Sequence, residues 1–133
     1  MEPLLIEKTF QTPHVLLDAD KNIFEIKGNS FPNNALRFYL PILDWFTRYF
    51  LSEKKEIRLH VHINYQNSSS KKMFSEIMKM LDDFYKEGKL IQLDWDYATD
   101  DEDLLHSGLN IQQEVSFPVN LHAKPPEDNP SIH

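Results

Sequence analysis

Three consecutive serines stand beside two lysines in the segment NYQNSSSKKM, residues 64–73. The segment follows a run that alternates apolar and polar residues and precedes a run with helical spacing, so Ser68, Ser69 and Ser70 fall where a strand passes into a helix. Asn67, Ser68 or Ser69 could cap that helix, a contribution of about 1 kcal/mol. One cap does not account for three serines, and sites in α/β proteins commonly lie at such junctions.

The spacing of serines and lysines also permits nucleophilic chemistry. Ser68 with Lys71, and Ser69 with Lys72, fit the S-x-x-K pattern, in which a lysine one helical turn away activates a serine. The S-D-N and K-T-G elements that accompany this pattern in hydrolases are absent from the chain. A small serine hydrolase using Ser68 and Lys71 is thus one alternative, and labelling by a serine-reactive fluorophosphonate would distinguish it.

Histidines and carboxylates elsewhere could in principle ligate a metal. His60 and His62 lie two apart on a predicted strand and could present two imidazoles to one ion, but no third ligand stands nearby at a recognised spacing. The acidic run 100–103 lacks the alternation and the glycine of a calcium loop. We predict no metal site and no cofactor, with the two histidines beside Arg58 on the less covered face of the sheet.

Hydrophobic periodicity predicts the elements around the serines. Residues 57–65 alternate strictly and predict a strand with Tyr65 on its apolar face. A helix is predicted from about Ser68 to Lys86, with Gly88 as its stop. Residues 89–97 alternate again, so strand, helix and strand predict two parallel neighbours. The helix positions expected to be buried are Met73, Ile77, Leu81 and Phe84.

The segment before this unit predicts strands and one further helix. Residues 4–28 combine short apolar runs with turn signals, which indicates strands joined by tight turns. Residues 30–54 have helical spacing, with Ser30 as a candidate cap and Pro41 expected to bend or split the helix. The apolar positions at helical spacing are Leu36, Tyr39, Leu40, Leu43, Phe46 and Phe50.

The segment after it predicts an acidic loop with a short helix over residues 98–113, and then an edge strand over residues 114–122 that carries Pro118. A polar, proline-rich end follows. The predicted organisation is therefore one α/β domain, residues 1–123, with a mixed sheet packed against helices, and a flexible C-terminal tail, residues 124–133.

Composition restricts the partners and the compartment. The 133 residues suit one domain, and the formal charge of −7 disfavours nucleic acid and anionic membrane surfaces. Cysteine is absent, which excludes disulfides and thiolate chemistry. The N-terminal residues 1–10 have neither signal-peptide nor membrane-span character. We therefore expect a cytoplasmic protein.

Four stretches together resemble the SiaC family of bacterial regulatory phosphoproteins. They are the Thr12–Pro13 pair, GNSFPNNALRFYLPILDWF, INYQNSSSKKM and LDWDYATDDEDLLHSG. The resemblance implies a STAS-like sandwich, similar to anti-sigma-factor antagonists, and a non-enzymatic role. It also implies a Ser/Thr protein kinase and a PP2C-type phosphatase as partners, and an unphosphorylated form that activates a diguanylate cyclase in c-di-GMP and biofilm signalling.

The family motif can be placed on this chain residue by residue. A tyrosine, any residue and an asparagine precede a threonine and two serines, and the first and third positions fall on Tyr65 and Asn67. The phosphorylated threonine falls on Ser68, so the resemblance implies Ser68 as the phosphorylation site. The fallback sites are Ser69 and Ser70, and the supporting neighbours are Lys71 and Lys72.

Two points keep the interpretation open at the level of sequence. Asn33 stands where the family usually carries a glutamate, which puts any contact of that glutamate in doubt. A structural adaptor that is never modified is a further alternative, for which protein purified from its native cell would carry no phosphate.

Overall fold

A mixed six-stranded sheet runs through the computed structural model, which describes residues 1–52 and 56–126. The strands are β1 (Leu4–Ile6), β2 (His14–Asp18), β3 (Ile23–Ser30), β4 (Glu56–Gln66), β5 (Leu90–Ala98) and β6 (Val119–Lys124). The helices are α1 (Ala35–Leu51), α2 (Ser68–Lys86) and α3 (Glu102–Glu114). The predicted α/β class is confirmed, and the arrangement is compatible with a STAS-like sandwich.

The strands lie in the sheet in chain order. The pairs β1–β2 and β2–β3 are antiparallel, whereas β3, β4, β5 and β6 are mutually parallel neighbours. One helix forms each parallel connection, and right-handed crossovers between successive neighbours place all three helices on the same face. The predicted parallel pairing of β4 and β5 is confirmed, and the other face of the sheet carries no helix within the described residues.

One apolar core fills the space between the sheet and the helices. From β4 it contains Ile57, Leu59, Val61 and Ile63, which are at most 1% exposed. From α2 it contains Met73, Phe74, Ile77, Met78 and Leu81, while Phe84 is half-buried. The predicted core face of α2 is confirmed, with Phe74 and Met78 as additional members.

Helix α1 corrects the predicted cap and excludes one of the two effects predicted for Pro41. Its cap is Asn34, whose Oδ1 accepts a hydrogen bond from the Arg37 backbone N–H at 3.0 Å, and not Ser30, which ends β3. Pro41 does not split the helix, which is continuous from Ala35 to Leu51. A proline removes one backbone N–H, and the apolar contacts of the following two turns hold the helix together despite that loss.

The predicted apolar stripe of α1 was partly on the wrong side. Leu36 and Leu40 are 56% and 51% exposed. The buried face consists of Ala35, Tyr39, Ile42, Trp45, Phe46, Tyr49 and Phe50. The helix is apolar around most of its circumference, so periodicity alone does not select the face that meets the sheet.

The ends of the remaining elements follow local rules. Gly88 terminates α2 as predicted, with φ of 106°, and Lys89 N–H donates to the Phe84 carbonyl at 3.1 Å. The acidic run supplies the cap of α3, because Asp101 Oδ1 accepts from the Leu104 N–H at 3.0 Å. Strand β6 is an edge strand as predicted, but it starts at Val119, so the predicted bounds of 114–122 were wrong and Pro118 precedes the strand.

Residues 127–133 of the predicted tail lie outside the described residues, and β6 ends at Lys124. No helix in the described ranges is long and apolar enough to cross a membrane.

Candidate functional site

The serine cluster lies at the C-terminal end of β4, where α2 begins. The cap of α2 is Asn67: its side-chain oxygen accepts from the Ser70 N–H at 2.8 Å, and its backbone N–H donates to the Ser30 carbonyl at 3.0 Å. Ser68 is the first helical residue. The prediction that Ser68 lies within one residue of the cap is confirmed, and the serine hydroxyls are left for other uses.

The three hydroxyls have different environments. Ser68 and Ser69 are exposed, as predicted for Ser68, whereas Ser70 is fully buried. Ser70 Oγ accepts a hydrogen bond from Ser30 Oγ at 2.7 Å, and Ser30 Oγ lies 2.6 Å from the hydroxyl of Tyr39. Burial raises the pKa of Tyr39. Ser70 therefore joins β3, α1 and α2 from inside, and its hydroxyl is closed to an enzyme.

Tyr65 lies elsewhere than the alternation of β4 predicted. The register with β3 shifts after Gly28, so that Ile63 pairs with Gly28 and Tyr65 pairs with Asn29. The shift turns Tyr65 out of the apolar face, and the residue is 57% exposed. This register shift arises from the pairing of β4 with β3, so the sequence of β4 alone does not predict it.

An exposed aromatic cluster beside the junction was missed by sequence reasoning. The ring of Phe31 makes edge contacts with Tyr65 and with Phe10, at centroid distances of 5.7 and 5.3 Å. Phe10 is 81% exposed. It lies in the β1–β2 turn, where Thr9 and Thr12 share a hydrogen bond of 2.6 Å between their hydroxyls. The sequence feature that could have indicated this cluster is Phe10, a phenylalanine two residues before the Thr12–Pro13 turn.

Two grooves open on either side of the start of α2. The α2–α3 groove has a volume of about 380 Å³ and is lined by Ser68, Lys71, Lys72, Ser75, Glu76, Lys79, Ser107, Asn110, Ile111 and Glu114. The α1–α2 groove has a volume of about 580 Å³ and is lined by Asn33, Asn34, Ala35, Leu36, Leu43, Ser69, Lys72, Met73 and Glu76. Ser68 thus faces a groove with three lysines, Ser69 faces a more apolar one, and Asn33 lies at the apolar one.

The arrangement offers little to a serine hydrolase. A nucleophilic serine needs a base within hydrogen-bond reach. In the described part of the chain no hydrogen bond joins the Ser68 hydroxyl to the amine of Lys71, and both side chains are exposed to solvent.

The helix-free face of the sheet holds the histidines. His60 Nε2 lies 2.7 Å and His62 Nδ1 lies 3.4 Å from the same oxygen of Asp96, a carboxylate that is 4% exposed. The predicted placement of both histidines beside Arg58 on the less covered face is confirmed. The structure contains no group of three or more potential ligands arranged for a metal ion in its described ranges, and the absence of a metal stays a prediction.

Asp94 is the centre of a second network on this face. It accepts from Arg58 Nε at 2.6 Å, from His122 Nε2 at 3.0 Å and from Asn120 Nδ2 at 3.2 Å. Partial burial alone would raise the pKa of Asp94, but the hydrogen bonds, led by that of Arg58, outweigh burial and hold this pKa well below its ordinary value. The ionised carboxylate therefore stabilises the folded protein.

Asp94→Asn is expected to lower the free energy of unfolding by about 1–3 kcal/mol at neutral pH, because charge-assisted hydrogen bonds are lost. Since the folded pKa of Asp94 is depressed, the stabilisation is fully present above the unfolded pKa of about 3.9 and is lost as the pH falls through the folded value. Urea unfolding at pH 7 and across pH 4 to 2 measures this difference.

The matched control is Asp44→Asn, which removes the same charge from an exposed pair with Arg48 at 3.0 Å. Its effect should stay within about 0.5 kcal/mol. A loss for Asp94→Asn that is constant with pH would contradict the assigned role of its charge.

Comparison with known proteins decides the family. A profile described as SiaC family regulatory phosphoprotein matches residues 6–124, which is nearly all of the chain. The chain belongs to the SiaC family. The membership confirms the resemblance that the four stretches of the sequence indicated.

This SiaC-family chain has relatives that are similar to it in sequence and in fold. An uncharacterized protein of Pseudomonas aeruginosa (strain UCBPP-PA14) is 25% identical over 123 residues, 92% of this chain and 98% of that protein. The crystal structure of apo-SiaC from Pseudomonas aeruginosa is 25% identical, covers 92% of this chain and 100% of its own, and superposes with a TM-score of 0.85.

A second solved structure contains a partner. It is the diguanylate cyclase SiaD of Pseudomonas aeruginosa in complex with its activator SiaC. The matching chain is 25% identical, covers 91% of this chain and 99% of its own, and has a TM-score of 0.85.

Proposed function

We propose that this SiaC-family protein is a non-enzymatic switch in which reversible phosphorylation of Ser68 controls the activation of a diguanylate cyclase. The observation that carries the proposal is the exposed hydroxyl of Ser68 on the first residue of α2, in a member of a regulatory phosphoprotein family. A cyclase as the output is supported by the SiaC of Pseudomonas aeruginosa, which has the same fold and is in complex with the cyclase that it activates.

The position of Ser68 suits two chemical states of one fold. A phosphate carries a charge of about −1.5 to −2, and at the start of a helix it meets backbone N–H groups that have no helical partner. Lys71 and Lys72 follow one turn later and add positive charge. The modified domain therefore stays folded. The added charge instead changes the affinity of a partner that binds this surface.

The switch requires two enzymes and an output. A Ser/Thr protein kinase adds the phosphate, a PP2C-type phosphatase removes it, and the unphosphorylated form binds and activates the diguanylate cyclase. The cycle runs in the cytoplasm, and its readout is c-di-GMP and biofilm signalling.

The solvent exposure of the three serines indicates which of them a kinase can reach. Ser68 and Ser69 are open to a kinase, whereas Ser70 is 0% exposed and bonded to Ser30. Phosphorylating Ser70 would require the first turn of α2 to open and the bond to Ser30 to break. Ser68 is the proposed site, because its place in the family motif and its exposure agree, and Ser69 is the remaining fallback.

Mass spectrometry of protein purified from its native cell, with phosphatases inhibited, is expected to find phosphate on Ser68. Ser68→Ala should abolish the modification, and the matched control Ser69→Ala should retain it. Phosphate on Ser69 alone would contradict the site, and a chain that never carries phosphate would support the adaptor interpretation. Labelling of Ser68 by a fluorophosphonate would instead support the hydrolase.

A further inference from the structure

The α2–α3 groove contains two lysines that are not used by the unmodified protein. Ser68, Lys71 and Lys72 line one side of it, with the lysines one helical turn after the serine. Within the described ranges the side-chain amines of Lys71 and Lys72 have no ion pair or hydrogen bond, whereas the Lys79 amine, further along the groove, lies 3.9 Å from Glu76. Positive charge is therefore uncompensated only at the end where Ser68 lies.

The opposite side of the groove is formed by α3 and supplies hydrogen-bond donors. Ser107 is 5% exposed, and its Oγ accepts from Gln66 Nε2 at 3.0 Å, which leaves its hydroxyl hydrogen for another acceptor. Asn110, one turn later, is exposed and has a side-chain amide to donate. Ser107 and Asn110 therefore both line the groove from α3 with a group that can donate to an anion.

The carboxylates of the groove lie away from Ser68. Glu114 accepts from Ser75 Oγ at 3.3 Å, and Glu76 lies near Lys79 as described. Glu76, and Ser75 to which Glu114 is bonded, both lie about two turns along α2 from Ser68. An anion at the Ser68 end therefore meets the lysines and the α3 donors before it meets either carboxylate.

We propose that this groove is an intramolecular receptor for the phosphate on Ser68, in which Lys71 and Lys72 bind phosphoryl oxygens from α2 while Ser107 and Asn110 donate to them from α3. The inference rests on the proposed phosphorylation of Ser68 and deepens it. A phosphate has three strong acceptor oxygens, enough to contact donors of both helices. Phosphorylation then ties the start of α2 to α3 and occupies two lysines that a partner could otherwise contact.

The test uses the full chain with phosphoserine installed at position 68 during translation, so neither the kinase nor the cyclase is needed. A ³¹P NMR titration should place the second phosphate pKa about 1 unit below its ordinary value of about 6. Lys71→Gln with Lys72→Gln should reverse most of this lowering, and the α3 donors and the helix start account for the remainder. The matched control Lys79→Gln removes a charge of the same groove roughly 16 Å along the helix, at about 1.5 Å per residue, and should leave the pKa lowered.

The α3 side has its own readout. Asn110→Ala, at an exposed position, and Ser107→Ala should each reverse part of the lowered phosphate pKa. The Asn110 side-chain amide signal should shift when Ser68 carries phosphate, and should not shift in the double lysine variant. A phosphate pKa that is the same in all variants overturns the receptor, and a response to the lysines without any response of α3 overturns the two-helix site.

Failure of the proposed function has a different signature. It would appear as a Ser68 that carries no phosphate in the cell, or as equal partner affinity of the phosphorylated and unphosphorylated forms. The ³¹P titration depends on neither of these two measurements.

Discussion

A phosphate on Ser68 is expected to weaken binding of the diguanylate cyclase by about 100-fold while the domain stays folded. The added anion at an exposed helix start stabilises the fold by roughly 0.3–1 kcal/mol. A partner that covers the junction must instead bury a doubly charged group or meet it with like charge, and such mismatches cost several kcal/mol. A loss of about 2.7 kcal/mol already corresponds to 100-fold in affinity.

Ser68→Asp gives a first measure of this effect, although aspartate carries about half the charge of phosphate. We expect its melting temperature to lie within a few degrees of the wild-type value and its partner affinity to be reduced. Ser68→Ala removes the hydroxyl without adding charge and should bind like the unmodified protein. An aspartate variant that unfolds, or that binds as tightly as the alanine variant, would argue against the switch.

Trp95→Ala should have the largest effect on stability, about 3–5 kcal/mol. Trp95 is 1% exposed, and its Nε1 donates to the Leu104 carbonyl of α3 at 2.9 Å. Its ring makes an edge contact with Phe74 of α2 at a centroid distance of 6.0 Å. The residue thereby holds both helices of the α2–α3 groove on the sheet.

The packing of α3 on this ring leaves no space for adjustment. A Cβ on Gly108 would come within 2.7 Å of Trp95 Cδ1, so the helix approaches the ring as closely as glycine permits. Truncation of the ring therefore leaves a cavity under α3 that the helix fills only in part.

Chemical unfolding measures the loss, with Phe10→Ala as the matched control. Phe10 is also aromatic but is 81% exposed, so its truncation should change the free energy of unfolding by no more than about 0.5 kcal/mol. Similar losses for both variants would show that Trp95 does not anchor α3.

The strand–helix–strand unit from β4 to β5 was predictable because its sequence patterns have a single solution. Ile57 to Ile63 alternate with polar residues, so only one face of β4 could be buried. The parallel pairing then followed from the helix between the strands. The position of Ser68 at the start of α2 followed from the same patterns.

Features that depend on distant partners were not predictable from local patterns. Ser70 is buried because it meets Ser30, which lies 40 residues earlier in the chain. Tyr65 is turned outward by the register with β3. Asp94 owes its depressed pKa to Arg58 and His122, which come from the two neighbouring strands. In each case the environment of the residue is set by a contact with a separate strand or helix. Composition and local spacing do not predict such contacts.

The most direct test of the switch is a calorimetric titration of the diguanylate cyclase with unmodified protein and with protein that carries phosphate on Ser68. We predict binding by the unmodified form, affinity weaker by about 100-fold for the phosphorylated form, and recovery after phosphatase treatment. Equal affinity of the two folded forms would contradict the account and would leave the serine cluster with structural roles alone.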